Sequence, residues 1–187
     1  MKNSEKLETF RTELNLISFP EVRKFTEKCV CNLPDYFFDV AASSTGKYHP
    51  KFSLGEGGLV RHTQIACRIA NDLFNMEMFN KLFPEKCYAI AALILHDGVK
   101  HGNPKQAYTV HEHPNLASDL IMATAETDEE KKIALKICPL VESHMGQWNK
   151  NKRSRVALAK PSTPLEKFVH LCDYIASRKT FDYFYDV

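Results

Sequence analysis

The sequence contains no apolar run longer than nine residues, the longest being Cys87 to Leu95. A membrane-spanning helix needs about 18–20 apolar residues, so no membrane segment and no membrane partner are expected. The start of the chain, Met1-Lys2-Asn3-Ser4-Glu5-Lys6, leads into a charged stretch without the apolar centre of a secretory signal. Neither sign of charge dominates: 25 Lys and Arg stand against 23 Asp and Glu, a net +2. That balance argues against a protein that coats long nucleic-acid duplexes. Glycine is scarce, at seven residues, while 44% of residues are hydrophobic, which excludes fibrous and disordered classes. The six cysteines are dispersed and form no paired zinc-ribbon spacing; Cys29-x-Cys31 stands alone. They read as small buried thiols of a reducing compartment, and the expected location is the cytoplasm.

Strand-like alternation is almost absent, and helical periodicity runs through most of the chain. Helices are expected over Glu5–Leu16, from Pro20 to about Cys31, and over 59–78, 85–97, 114–125, 128–146 and 164–178. Pro139 should kink or divide the 128–146 segment. Between Leu33 and Gly58 the pattern breaks at Pro34, Gly46, Pro50, Gly55 and Gly57-Gly58, marking a long irregular stretch. Lys150 to Pro161 reads as a basic loop. The expected architecture is all-α and single-domain, with residues 1–54 packed as helices and an irregular segment on a core spanning 55–187.

What is present on the inner faces of these helices carries the functional signal. His62 shares a stripe with Leu59, Ala66, Ile69 and Leu73. The run Cys87–Leu95 is apolar all round and ends directly in His96-Asp97-Gly98. A carboxylate at the inner end of a buried helix is costly unless it is paired or bound to a cation. Asp173 lies on the side of its helix with Val169 and Ala176, and His144 follows Val141 by three residues. His111 and His113 flank Glu112 just before a helix. Several desolvated groups on separate helices would be unsatisfied unless they share a partner. Imidazole and carboxylate donors without cysteine suit one or two ions of Mn²⁺, Fe²⁺, Co²⁺ or Zn²⁺ at a catalytic site.

In this pattern the chain resembles the HD-domain superfamily of metal-dependent phosphohydrolases, an all-α family. The family's order of a histidine, an adjacent His-Asp pair and a distant aspartate is met by three segments. These are Gly57-Gly58-Leu59-Val60-Arg61-His62-Thr63, Leu93-Ile94-Leu95-His96-Asp97-Gly98, and Phe168-Val169-His170-Leu171-Cys172-Asp173. The resemblance implies a first ion held by His62, His96, Asp97 and Asp173. His113 and His144 match the family's places for a second ion, shared through Asp97, with His111 as the competitor for His113. Gly57-Gly58-Leu59-Val60-x-His62-Thr63 with Ser143-His144-x-Gly146 is also similar to the branch that includes 3′→5′ exoribonucleases. The additional nucleic-acid-binding domain of that branch is not recognisable here.

Catalytic roles are expected of Asp97, Lys100 and Arg178. Lys100, one turn after Asp97, resembles a lysine common in the family and would bind phosphate or stabilise the leaving group. Arg178, five residues beyond Asp173, would donate to the phosphate. The segment Ser43-Ser44-Thr45-Gly46-Lys47-Tyr48-His49-Pro50 lacks the order of a P-loop but supplies hydroxyls and Lys47 for a substrate lip. The expected substrate is a small phosphorylated one, a nucleotide or a short oligonucleotide. The competing functions are a 3′→5′ exonuclease on single strands and a non-catalytic module that binds a nucleotide or a partner protein. Oligomeric state stays open, and His49, His101 and His170 are given no role.

Overall fold

The structure, a computed structural model, describes residues 1–47 and 49–182, except for the side chain of Phe181. Eight α-helices carry the fold: α1 (Asn3–Thr9), α2 (Arg11–Leu14), α3 (Pro20–Asn32), α4 (Gly58–Phe74), α5 (Lys86–Leu95), α6 (His113–Thr124), α7 (Asp128–Glu142) and α8 (Pro164–Ala176). Short 3-10 turns join them, and no strand occurs among the described residues.

The most apolar segment takes the centre. From Ala89 to Leu95 every residue of α5 is at most 1% exposed. It is surrounded by α3, α4, α7 and α8, as a helix without a polar face must be. α4 also packs on α8, and α6 on α7 and α3, so α4, α5, α7 and α8 all have ends that can meet around the close of α5. The N-terminal region joins this bundle through α3, which contacts α5, α6 and α7. Buried Lys6 of α1 donates to the carbonyls of Leu33 at 2.5 Å and Cys31 at 3.3 Å, capping the open C-terminal end of α3.

Three expected boundaries change, each for a packing or backbone reason. The single helix expected over Glu5–Leu16 is two pieces, broken at Phe10. That ring is fully buried against Phe37 and Phe38, at centroid distances of 6.0 and 6.3 Å, and Phe10 leaves helical geometry at φ −109°, ψ 15°. The helix expected to reach residue 78 ends at Phe74, and Glu77–Glu85 forms a 3-10 segment containing Pro84. The helix expected over 128–146 ends at Glu142, and Pro139 neither divides nor ends it. It follows the 63%-exposed Leu135 by four residues, so the carbonyl that loses its donor lies on the solvent side.

Glycine is required where the site's supports approach most closely. A Cβ on Gly58 would lie 2.2 Å from the carbonyl oxygen of Ser53, so only glycine lets the Lys51–Ser53 turn lie against the first turn of α4. Arg61 secures the same loop by donating to the carbonyls of Leu54 at 3.0 Å and Glu56 at 2.8 Å. His62 is the next residue.

Candidate metal centre

Four helices and one turn deliver six side chains to one buried place. His62 comes from α4, His96 and Asp97 from the end of α5, His113 from the first turn of α6, His144 from just beyond α7, and Asp173 from α8. The four histidines are at most 1% exposed and Asp97 is 2% exposed.

Three of the imidazoles are oriented in the same way. Nδ1 of His96, His113 and His144 lies 2.7 Å from the carbonyl oxygen three residues earlier, that of Leu93, Val110 and Val141 respectively. A carbonyl only accepts, so Nδ1 is protonated in each ring, and when the ring is neutral Nε2 is the donor atom turned toward the cluster. His144 has a further support: Nδ1 of His170 donates to its carbonyl at 2.6 Å. Gly146, at φ +57°, makes room for this, because a Cβ there would lie 2.2 Å from the His170 ring.

Asp97 divides the cluster through its two oxygens. On one side Oδ2 lies 3.4 Å from His96 Nε2 and 3.9 Å from His62 Nε2. Asp173 Oδ1 closes that side, at 2.9 Å from His62 Nε2 and 3.5 Å from His96 Nε2. On the other side Asp97 Oδ1 lies 3.1 Å from His113 Nε2 and 3.8 Å from His144 Nε2. The two Nε2 atoms are 3.2 Å apart. With both Nδ1 protons committed to carbonyls, both Nε2 atoms are turned toward the same gap beside Asp97 Oδ1.

The donor set fits divalent ions. Adjacent nitrogen donors on a tetrahedral or octahedral ion, each at about 2.0–2.1 Å from it, are about 2.9–3.4 Å apart. His96 Nε2 and Asp97 Oδ1 are buried and make no hydrogen bond despite close polar neighbours. Atoms aimed at a common point, rather than at one another, have this character. His62, His96 and Asp173 offer ligand atoms within 4.8 Å of one another, as do His96, Asp97 and His144.

Electrostatics within the cluster are strongly coupled. Burial alone would raise both carboxyl groups. The Lys100 ammonium and His96 hold Asp97 well below the usual carboxylate range, and the hydrogen bond from His62 with the charge of His96 does the same for Asp173. Burial works to lower His96, but Asp97 and Asp173 outweigh it and hold the imidazole up at about 10. His144, buried and beside His96 and His113, is pushed down to about 3. Without an ion, a proton on His96 and the Lys100 ammonium, 2.5 Å from Asp97 Oδ2, supply the positive charge that the two carboxylates require.

A cavity of about 450 Å³ opens from this cluster. Asp97, His113, His144, Asp173 and Lys100 line its buried part, and Ser43, Ser44, Thr109, Trp148, Tyr174 and Arg178 its outer part. Of the residues expected to meet substrate, Lys100 and Arg178 are therefore at the cavity. Lys47 is exposed and does not line it, although its neighbours Ser43 and Ser44 do. Tyr48 lies outside the described residues. Of the competing pair, His113 reaches the cluster, whereas His111 donates to the carbonyl of Val156 at 3.2 Å near the surface.

His49, to which the sequence assigned nothing, also lines the cavity, with its ring 5.4 Å from that of His62. Its buried Nδ1 has no hydrogen-bond partner, and burial pushes its pKa down to about 3. It sits in an irregular segment, where no periodicity could have marked it as inward-facing. His101 packs against Tyr36 at 5.8 Å, away from the cavity lining.

Among comparisons with known proteins, the HD domain family model matches residues 59–178. No curated protein and no solved structure matches the chain. No described helix is long and apolar enough to cross a membrane.

Proposed function

The chain belongs to the HD domain family of metal-dependent phosphohydrolases, and from that premise we propose that it hydrolyses a phosphoester of a nucleotide or short oligonucleotide. The observation that carries this reading is the convergence of six donor side chains around the two oxygens of Asp97, with Nε2 of His113 and of His144 3.2 Å apart. In this reading His62, His96, Asp97 and Asp173 hold one ion, and His113 and His144 hold a second that shares Asp97. Mn²⁺, Fe²⁺, Co²⁺ and Zn²⁺ all accept such nitrogen and oxygen donors. When bound, the ions supply a nucleophilic water at neutral pH and positive charge for the phosphoryl oxygens.

The chain's own residues set the geometry around that chemistry. The carbonyls of Leu93, Val110 and Val141 fix the ring planes of three ligands, so that little reorganisation accompanies the reaction. Asp97 stays ionised beside Lys100 and would be the carboxylate that both ions share. Lys100 and Arg178 provide cationic donors along the cavity for the phosphate and its leaving group. Ser43, Ser44 and Thr109 offer hydroxyls opposite the charge of a bound phosphate ester.

A second reading, a 3′→5′ exonuclease on single strands, draws on the basic loop. Asn149 and Leu158 close its base with reciprocal bonds of 2.9 and 3.0 Å, and Ser154 donates to Glu112 beside His113. Lys150, Lys152, Arg153 and Arg155 are exposed there. The deciding experiment combines elemental analysis of the purified protein with hydrolysis of a phosphomonoester, a phosphodiester, a nucleotide panel and a short oligonucleotide in Mn²⁺. About two ions per chain with turnover of nucleotides supports the leading reading, and processive shortening of the oligonucleotide favours the second. Bound metal without any turnover would leave a nucleotide-binding module.

A further inference from the structure

The outer part of the cavity has a feature that phosphate chemistry does not require. Trp148, the chain's one tryptophan, is 44% exposed at the cavity mouth. Its ring lies nearly parallel to that of Tyr174, with an interplanar angle of 13° and centroids 5.6 Å apart. The Arg178 guanidinium sits against both rings, 4.4 Å from the Tyr174 centroid and 5.9 Å from that of Trp148. It is held there by bonds from Nε and Nη2 to Ser177 Oγ, at 3.1 and 2.8 Å, and from Nε to the Tyr174 carbonyl at 3.3 Å. Nη1 takes no part in these bonds and is left for a ligand.

This shelf is tied rigidly to the metal centre. Tyr174 follows Asp173 directly on α8, and Trp148 ends the Gly146–Trp148 turn, four residues after His144. The spacing between the ion-binding donors and the aromatic wall is thus set by two short covalent paths. A flat aromatic surface left open beside a guanidinium is a stacking platform for another planar ring, and stacking tolerates any base because every base has a π-face. A cavity of about 450 Å³ has room for one nucleotide unit rather than for a folded or duplex ligand.

We propose that Trp148, Tyr174 and Arg178 form a base-stacking subsite, which seats the purine or pyrimidine ring of a nucleotide whose phosphate lies at the metal centre. The proposal rests on the phosphohydrolase reading and adds to it a requirement for a planar ring on the substrate. Stacking of one base contributes about 1–3 kcal/mol, a factor of roughly 5–150 in affinity.

The single tryptophan is the reporter. Metal-loaded protein is titrated with adenosine 5′-monophosphate, ribose 5-phosphate, adenosine and inorganic phosphate, following tryptophan fluorescence and, separately, heat of binding. The nucleotide should quench saturably and bind at least about fivefold more tightly than ribose 5-phosphate, which should bind without quenching. Trp148→Ala should remove that advantage while leaving ribose 5-phosphate affinity unchanged; Trp148→Phe should keep most of it, and covers the case in which the alanine variant does not fold. Equal affinities for nucleotide and sugar phosphate, without quenching, overturn the subsite and leave the metal reading intact. Quenching by adenosine when neither inorganic phosphate nor ribose 5-phosphate binds the metal-loaded protein supports the shelf and removes the phosphohydrolase reading instead.

Discussion

The two sides of Asp97 are built from similar residues but balanced differently. On the Asp173 side a second carboxylate is present, and its 2.9 Å contact with His62 partly satisfies both groups without an ion. On the His113 side, two imidazoles approach one oxygen of Asp97, and their Nε2 atoms lie 3.2 Å apart. The first side is close to a closed polar network; the second has no carboxylate besides Asp97. The proposed function therefore expects an ion on the Asp173 side, with two carboxylates, to be held more tightly than one on the His113 side.

The largest expected effect comes from removing what the two sides share. Asp97→Ala should abolish binding of both ions and nearly all hydrolysis while the protein remains helical; full activity in this variant, measured beside its metal content, would refute the assignment. Next comes the asymmetry itself. His113→Ala should keep about one ion per chain, whereas Asp173→Ala should lose most of both, because Asp97 alone cannot neutralise the site. His111→Ala should match the unmodified protein in metal content. If the His111 variant loses metal and the His113 variant does not, the second-ion ligand has been placed on the wrong histidine.

A third change tests the support behind His144. Gly146→Ala combines an unfavourable positive φ with a clash against His170, costs that together amount to about 1–3 kcal/mol. Thermal unfolding should register that loss, and metal titration should show the His113-side ion weakened more than the other. A variant with unchanged melting and unchanged affinity would show that the His170 prop contributes nothing. The smallest effect is expected far from the centre. Thr127→Ala removes the side-chain cap of α7, whose hydroxyl accepts from Glu130 at 3.1 Å, and should cost about 1 kcal/mol without altering metal content. Loss of metal in that variant would mean that the position of His144 depends on α7 far more globally than the local bonds suggest.

Much of this centre can be read from residue order because burial makes periodicity informative. His62 stands at an apolar position of amphipathic α4, His144 follows the buried face of α7 just past its end, and the all-apolar run before His96-Asp97 identifies the central helix. Where periodicity fails, so does the reading. His49 lies in the irregular segment between Leu33 and Gly58, and its approach to His62 depends on chain folding alone. The choice between His111 and His113 turns on where α6 begins, a boundary set by the hydrogen bonds of the Val110–His113 turn. The helix break at Phe10 coincides with the packing of its ring against Phe37 and Phe38, contacts that its own neighbours in sequence do not reveal.

By itself the sequence determined an all-helical bundle, a buried α5 and a set of inward-facing histidines and aspartates, because these follow from local periodicity and from the cost of desolvating polar groups. Only the tertiary structure decided how Asp97 divides its oxygens between two sides, which carbonyls orient each imidazole, and that Trp148, Tyr174 and Arg178 meet at the cavity mouth. Those relations join residues far apart in the chain, and interatomic distances across helices depend on how all of the side chains pack together.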